Sequence, residues 1–230
     1  MSNESTTQAP NLLNDDGTAS MATMLLLSHH AFRRDIARFI RAIAEIKAGD
    51  VSRTEAVREE WEKSYKAALH GHHMMEDGNI FPDIRSKHPE LASALDTLIA
   101  QHHKIDPLLE KGDEAFADLA HPEKAESLLR ELKMLLDEHL AFEEAEITLF
   151  LREAKEFPAP ADDNMANMYA QGFSWSMQGI APVVVDQVKA LLPEILLARL
   201  PAAQKEFEER SARVWGSYEV GEATTSMPTK

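Results

Sequence analysis

Apolar residues recur every three or four positions through most of the chain, which is the period of an amphipathic α-helix. The pattern predicts four long helices, with proline ending the second one at Pro82 and opening the third and fourth at Pro89 and Pro122. Gly49 follows the first helix and ends it. The predicted helices span residues 19–48, 52–81, 89–112 and 122–156.

Four long helices joined by short connections are typical of an up-down-up-down four-helix bundle, an all-α fold. Beyond it, the sequence PAPADD at 158–163 indicates a linker, and prolines divide the rest into shorter helical pieces. These extra C-terminal helices are rich in Met and aromatic residues, so they could form a lid or channel, a dimer contact or, as we favour, a layer on the bundle. We predict a disordered tail over 1–20, a bundle over 21–157, a C-terminal helical appendage over 158–215 and a flexible tail over 216–230.

Composition narrows the classes of function. The net charge of −15 opposes binding to nucleic acids and to anionic membrane surfaces. The absence of cysteine excludes disulfides, iron–sulfur clusters and thiol catalysis. The first residues lack the features of a signal peptide, and Asp186 and Lys189 interrupt the most apolar run, so we expect a cytoplasmic protein without a membrane span.

The histidines are not scattered along the chain. Of the ten, His88 and His121 directly precede prolines at helix starts. The other eight fall as one cluster on each predicted helix: His29 with His30, His70 with His72 and His73, His102 with His103, and His139 alone. Clusters on all four helices indicate a shared site inside the bundle.

Helical register predicts which histidine of each cluster points inward. A helix turns by roughly 100° per residue, so two neighbours are not expected to face the core together. The apolar stripes contain His29, His72, His102 and His139. His30 shares a face with Arg34 and Arg41, and His73 shares one with Lys66 and Asp77, so both are expected to point outward.

Three of the inward histidines have a carboxylate four residues later, next to them on the helix surface. Burying three carboxylates without compensation would be costly, and bound cations would compensate them. A lone inward histidine is more often a hydrogen-bonded core residue, but seven such side chains match two metal ions. The predicted ligands are His29, His72, Glu76, His102, Asp106, His139 and Glu143.

Four motifs resemble the hemerythrin-like, histidine–histidine–glutamate cation-binding family: SHHAFRRDI at 28–36, HHMMEDGNIFP at 72–82, QHHKIDPLL at 101–109 and HLAFEEAEITLF at 139–150. The resemblance covers about residues 20–156. It implies a four-helix bundle holding two iron ions, bridged by carboxylates and by an oxide or hydroxide, that meet dioxygen. Manganese and zinc are the alternative metals.

The chain departs from the oxygen-carrying hemerythrins at two positions. Asp106 stands where those proteins have a second histidine on the third helix. On the fourth helix they have an aspartate five residues after the histidine, whereas here Glu143 is four residues on and Glu144 five. A site richer in oxygen ligands favours ferric iron.

The resemblance leaves two functions open. One is an oxidoreductase or carrier that binds or activates dioxygen, with a small-molecule substrate if it is an oxidase or oxygenase. The other is an iron, oxygen or redox sensor, or iron-binding module, that acts through a partner. A purely structural bundle is disfavoured because it would leave the buried carboxylates uncompensated.

Overall fold

The computed structural model describes residues 11–216 of the chain. The predicted tail residues 1–10 and 217–230 lie outside the described residues. Every regular element in the described part is helical, which confirms the predicted all-α class with extra C-terminal helices. The bundle helices are α1 (Met21–Lys47), α2 (residues 54–87), α3 (Ala92–Ala117) and α4 (Glu123–Glu146). The short α5 (Thr148–Leu151) and four C-terminal helices follow: α6 (Asp163–Ser176), α7 (Pro182–Leu191), α8 (Glu194–Leu197) and α9 (Leu200–Trp215).

Helix α2 is continuous but contains two π-helical turns, Trp61–Tyr65 and Glu76–Ile80. In the second turn the amide of Phe81 donates to the carbonyl of Glu76, five residues earlier. This wider turn gives the ring of Pro82 room beside the preceding carbonyls, so the helix continues to Lys87 instead of ending at Phe81 as predicted.

Three apolar clusters make up the interior. The largest lies among the four bundle helices and includes Phe39, Trp61 and Leu132. A smaller cluster around Phe81 and Leu95 closes one end of the bundle. Apart from Glu60, the buried polar residues of α2, α3 and α4 fall between the stretches that build these two clusters or at their border, so the bundle holds a polar layer between two apolar ones.

A third cluster joins the start of α1 to the C-terminal helices and includes Leu12 and Ala19 of the segment before α1. The side-chain amide of Asn14 donates to the carbonyl of Arg152 at 3.1 Å, which ties the same segment to the end of the bundle. The prediction of a disordered tail is therefore wrong for residues 11–20, because Leu12 supplies an apolar anchor.

The C-terminal helices form a layer on α1, and Trp215 of α9 enters the main bundle core. This layer explains why the outward face predicted for α1 is buried: Arg34 is fully buried and donates to the carbonyls of Trp175 and Gln178. His30 is also buried and contacts the carbonyl of Gln178 at 3.0 Å, so its predicted exposure is wrong.

Asp35 balances the charges on that face of α1. It accepts from the Arg34 guanidinium and from the indole of Trp175, the latter at 2.6 Å. Burial opposes its ionisation, but Arg34 and Arg38 outweigh burial and hold the pKa of Asp35 below its usual value. The C-terminal layer is thus fixed to α1 by a satisfied polar network.

No helix among residues 11–216 combines the length and the apolar character needed to cross a bilayer.

Candidate metal centre

Seven side chains from all four bundle helices converge in the polar layer. They form two groups, and within each group one nitrogen or oxygen atom per residue lies within 4.8 Å of the others. The first group is His73, His102 and His139; the second is His29, His72, Glu76 and Glu143.

The two carboxylates lie between the groups. Glu76 Oε1 is 2.9 Å from Nε2 of His72, and its Oε2 is 3.4 Å from Nε2 of His102. Glu143 Oε2 is 3.2 Å from Nε2 of His29 and 3.8 Å from Nε2 of His139. Each carboxylate therefore contacts one histidine from the first group and one from the second. A carboxylate that bridges two metal ions would lie in this position.

The inward atoms of this site have no hydrogen-bond partner. This holds for Nε2 of all five histidines and for both oxygens of Glu76 and of Glu143, although these atoms are buried. Buried polar atoms are normally hydrogen-bonded, and leaving even one unpaired costs about 1–3 kcal/mol. Nine buried atoms that make no well-formed hydrogen bond and face one another fit metal ligands, and their chemistry, imidazole with carboxylate and no sulfur, suits iron.

The outer nitrogens of four histidines are held by other side chains. Nδ1 of His29 contacts Glu144 at 2.9 Å, and Nδ1 of His102 contacts Asp77 at 2.9 Å. Nδ1 of His73 contacts Asp106 at 2.6 Å, and Nδ1 of His139 contacts Gln101 at 3.1 Å. Oxygen acceptors at Nδ1 fix the proton on that nitrogen, so the Nε2 lone pair points into the site.

Burial keeps most of these imidazoles neutral. It lowers the pKa of His72 to about 4 and that of His139 to about 2. Neutral imidazole is the form that binds metal, so these side chains are ready to do so at neutral pH.

His29 is the exception in the metal-free protein. Burial opposes its protonation, but its contacts with Glu143 and Glu144 raise its pKa to about 9. The same contact outweighs burial at Glu143 and lowers the pKa of that carboxyl to about 2, whereas burial and the Glu143 charge raise the pKa of Glu76 to about 8. Metal ions entering the site would have to displace protons from His29 and Glu76.

The structure brings six of the seven predicted residues into these two groups and adds His73. The predicted solvent exposure of His73 is wrong, because its side chain is 1% exposed. The register argument failed because the site is wide. At roughly 100° per residue, Glu76 lies about 40° round the helix from His72 and about 60° from His73, so the two imidazoles stand on either side of one carboxylate.

Asp106 is the one predicted ligand that the structure leaves outside both groups. Its carboxylate is about one-third exposed and accepts from His73. Asp106 therefore contacts the outer nitrogen of His73 from outside both groups. His103 and His70 lie on the surface, as their register predicted.

Three further residues escaped the sequence argument: Asp77, Gln101 and Glu144. Each directly follows or precedes a residue of the two groups, so each lies on the flank of the same helix face and can reach the outer nitrogen of a histidine on another helix. Glu144 is itself paired with Arg33. Its position five residues after His139 was visible in the sequence, but its contact with α1 was not.

The sequence matches the family described as the hemerythrin HHE cation-binding domain over residues 20–150. Comparison with curated proteins found no match, and comparison with solved structures found none either. The matched region covers more than half of the chain and contains all seven residues of the two groups. The chain therefore belongs to the hemerythrin HHE cation-binding family, whose members bind cations such as iron.

Proposed function

We propose that the protein holds a pair of iron ions in this site and uses them to bind or activate dioxygen. The observation that carries the proposal is the pair of carboxylates, each of which touches a histidine of both groups. One iron would be held by His73, His102 and His139, the other by His29 and His72. Glu76 and Glu143 would bridge the two.

Counting ligands indicates where a small molecule could bind. Two six-coordinate irons have about twelve positions in the octahedral limit. The five histidines would fill five of these positions, the two carboxylates would fill four if each bound both irons, and a bridging oxide or hydroxide would fill two. The position left over would belong to the iron nearest His29 and His72, and an open position distinguishes a reactive metal site from a closed structural one.

The protein's own groups keep this site dry and oriented. Phe32 packs against His72 with ring centroids 5.2 Å apart, and Phe81 stacks on His102 at 5.8 Å. His72 is the only histidine of the two groups with appreciable exposure, at 13% of its side chain. A small molecule would therefore approach the open position on the His72 side.

The surrounding charges favour the oxidised metal. A bound ferrous pair supplies electrons that dioxygen can accept. Asp77, Asp106 and Glu144 each contact the Nδ1 of a ligand histidine and make that imidazole a more basic donor. With the two bridging carboxylates they place five acidic groups around the irons, so oxidation should not reverse without a reductant.

We therefore expect the iron-loaded, anaerobically reduced protein to react with dioxygen, and azide to bind the oxidised form with a visible charge-transfer band. Absorption spectroscopy during anaerobic reduction, oxygen exposure and azide titration measures both. The control is the His102→Ala variant, which removes one ligand of the other iron.

One outcome would count against this function, and a second would restrict it to oxygen carriage. A reduced protein inert to dioxygen and an oxidised protein inert to azide would mean that no position is open, and would favour the iron or redox sensor. Stable oxygenation that reverses over repeated cycles would make the protein a carrier and would contradict the expected preference for ferric iron.

A further inference from the structure

The middle of α2, residues 66–80, is attached to the bundle mainly by the metal site. Only Leu69, His73 and Glu76 are buried in these fifteen residues, and two of the three are candidate ligands. Apolar anchors lie beyond both ends, at Trp61 and Tyr65 on one side and at Phe81 and Ile84 on the other. We call residues 66–80 the ligand segment.

The other ligand-bearing helices are anchored differently. Helix α3 buries Leu95, Leu98, Ile105 and Leu109 on both sides of its single ligand, His102. Helix α4 does the same around His139, with Leu132 and Leu136 before it and Leu140 after it. Removing the metal would leave these two helices packed, whereas the ligand segment would retain one buried apolar side chain.

Two glycines weaken the ligand segment where nothing requires glycine. Gly71 and Gly78 are exposed, have no left-handed backbone conformation, and a Cβ added to either would meet no atom within 4 Å. Glycine inside a helix lowers its stability relative to alanine. The second π-helical turn, Glu76–Ile80, lies in the same segment, and such turns are rare and often occur at functional sites.

The two buried carboxylates act in the same direction when metal is removed. Glu76 and Glu143 are both buried, and none of their oxygens has a hydrogen-bond partner. Glu143 lies 3.2 Å from Nε2 of His29, which can carry the balancing charge, so Glu76 is the carboxylate that gains more from moving towards solvent when metal is removed. Glu76 is on the weakly anchored helix, whereas Glu143 is on the well-packed α4.

We propose that metal enters and leaves the site by local opening of the ligand segment. The segment opens in the metal-free protein and closes when His72, His73 and Glu76 bind the metal. The proposal rests on the metal centre proposed above, but not on its reaction with dioxygen. Metal binding would therefore shift the local opening equilibrium of α2 towards the closed helix, and opening would weaken metal binding.

Hydrogen exchange on the full chain, with and without ferrous iron and in the absence of oxygen, tests the opening directly. We expect amides of residues 66–80 to lose protection in the metal-free protein while those of α3 and α4 keep theirs. Equal protection of the ligand segment and α3 without metal, or a loss spread evenly over the bundle, would overturn the proposal. Oxygen plays no part in this measurement, so failure of the dioxygen chemistry would leave its result unaffected.

A second measurement uses the glycines. Alanine stabilises a helix relative to glycine, so Gly71→Ala and Gly78→Ala should each make local unfolding of the ligand segment about two- to fivefold rarer. Anaerobic transfer of ferrous iron from the protein to a chelator should slow by the same factor. Gly172→Ala is the matched control, since Gly172 is an open, exposed glycine inside α6. The proposal would be contradicted if the rate of iron transfer to the chelator were unchanged in both α2 variants, or if Gly172→Ala slowed it equally.

Discussion

Replacing His73 with alanine is expected to remove at least one of two irons from each chain. The Nε2 atom of His73 is buried, lacks a hydrogen-bond partner and lies with His102 and His139 in one group. Its ring stacks on that of His102 with centroids 4.0 Å apart, so no other side chain can take its place without repacking. Metal analysis of the purified variant measures the loss.

The neighbouring residues supply controls for this result. His70→Ala changes a half-exposed histidine one turn earlier on α2 and should keep both irons. Asp106→Asn should also keep both at saturation but bind them about 10–100-fold more weakly, as expected for a group that only orients a ligand. If Asp106→Asn lost an iron and His73→Ala kept both, Asp106 would be the ligand and the assignment of His73 would be wrong.

Removing the metal is expected to lower the melting temperature substantially. Ions that bind only the folded chain stabilise it by about 4 kcal/mol at a thousand times their dissociation constant. For a domain of this size that corresponds to a shift of about 8–16 °C. The loss arises because the cations no longer compensate the burial of Glu76 and Glu143, so the chain must either bury these carboxylates or open locally. Thermal unfolding of loaded and chelated protein at neutral pH measures the difference.

A double variant provides the control for that comparison. His73→Ala with His102→Ala removes two of the three histidines of one group, so its melting temperature should respond less to the chelator. Identical melting temperatures for loaded and metal-free wild-type protein would argue against a buried metal cluster.

The helical fold was predictable because its signals are local. Apolar periodicity and the prolines at 82, 89 and 122 placed the four bundle helices, and the clusters of histidine on all four predicted a site between them. The helix ends were less accurate. Helix α2 passes Pro82 because of a π-helical turn, and the fourth predicted helix is divided into α4, which ends at Glu146, and α5, which ends at Leu151 rather than near Glu156. The end of α2 at Lys87 does have a signal, Pro89 two residues later, but Pro82 supplied an earlier one.

The site itself was predictable for residues that lie on the centre of an apolar stripe. His73 was missed because the prediction allowed only one inward stripe of residues on α2. The site is wide enough to accept His72 on one side of Glu76 and His73 on the other. Asp106 was predicted to be a ligand because spacing along one helix shows that two side chains are adjacent, but not which atom faces the site. The partners of the outer nitrogens, such as Glu144 with His29, join residues far apart in sequence and needed the packed structure.

The central claim is that two metal ions share Glu76 and Glu143, and metal content per chain tests it most directly. The protein would be loaded anaerobically with ferrous iron, freed of excess metal, and measured for iron, manganese and zinc against protein concentration from amino-acid analysis. We expect two irons per chain. A reproducible value of one metal per chain, or occupancy by zinc alone, would contradict the claim.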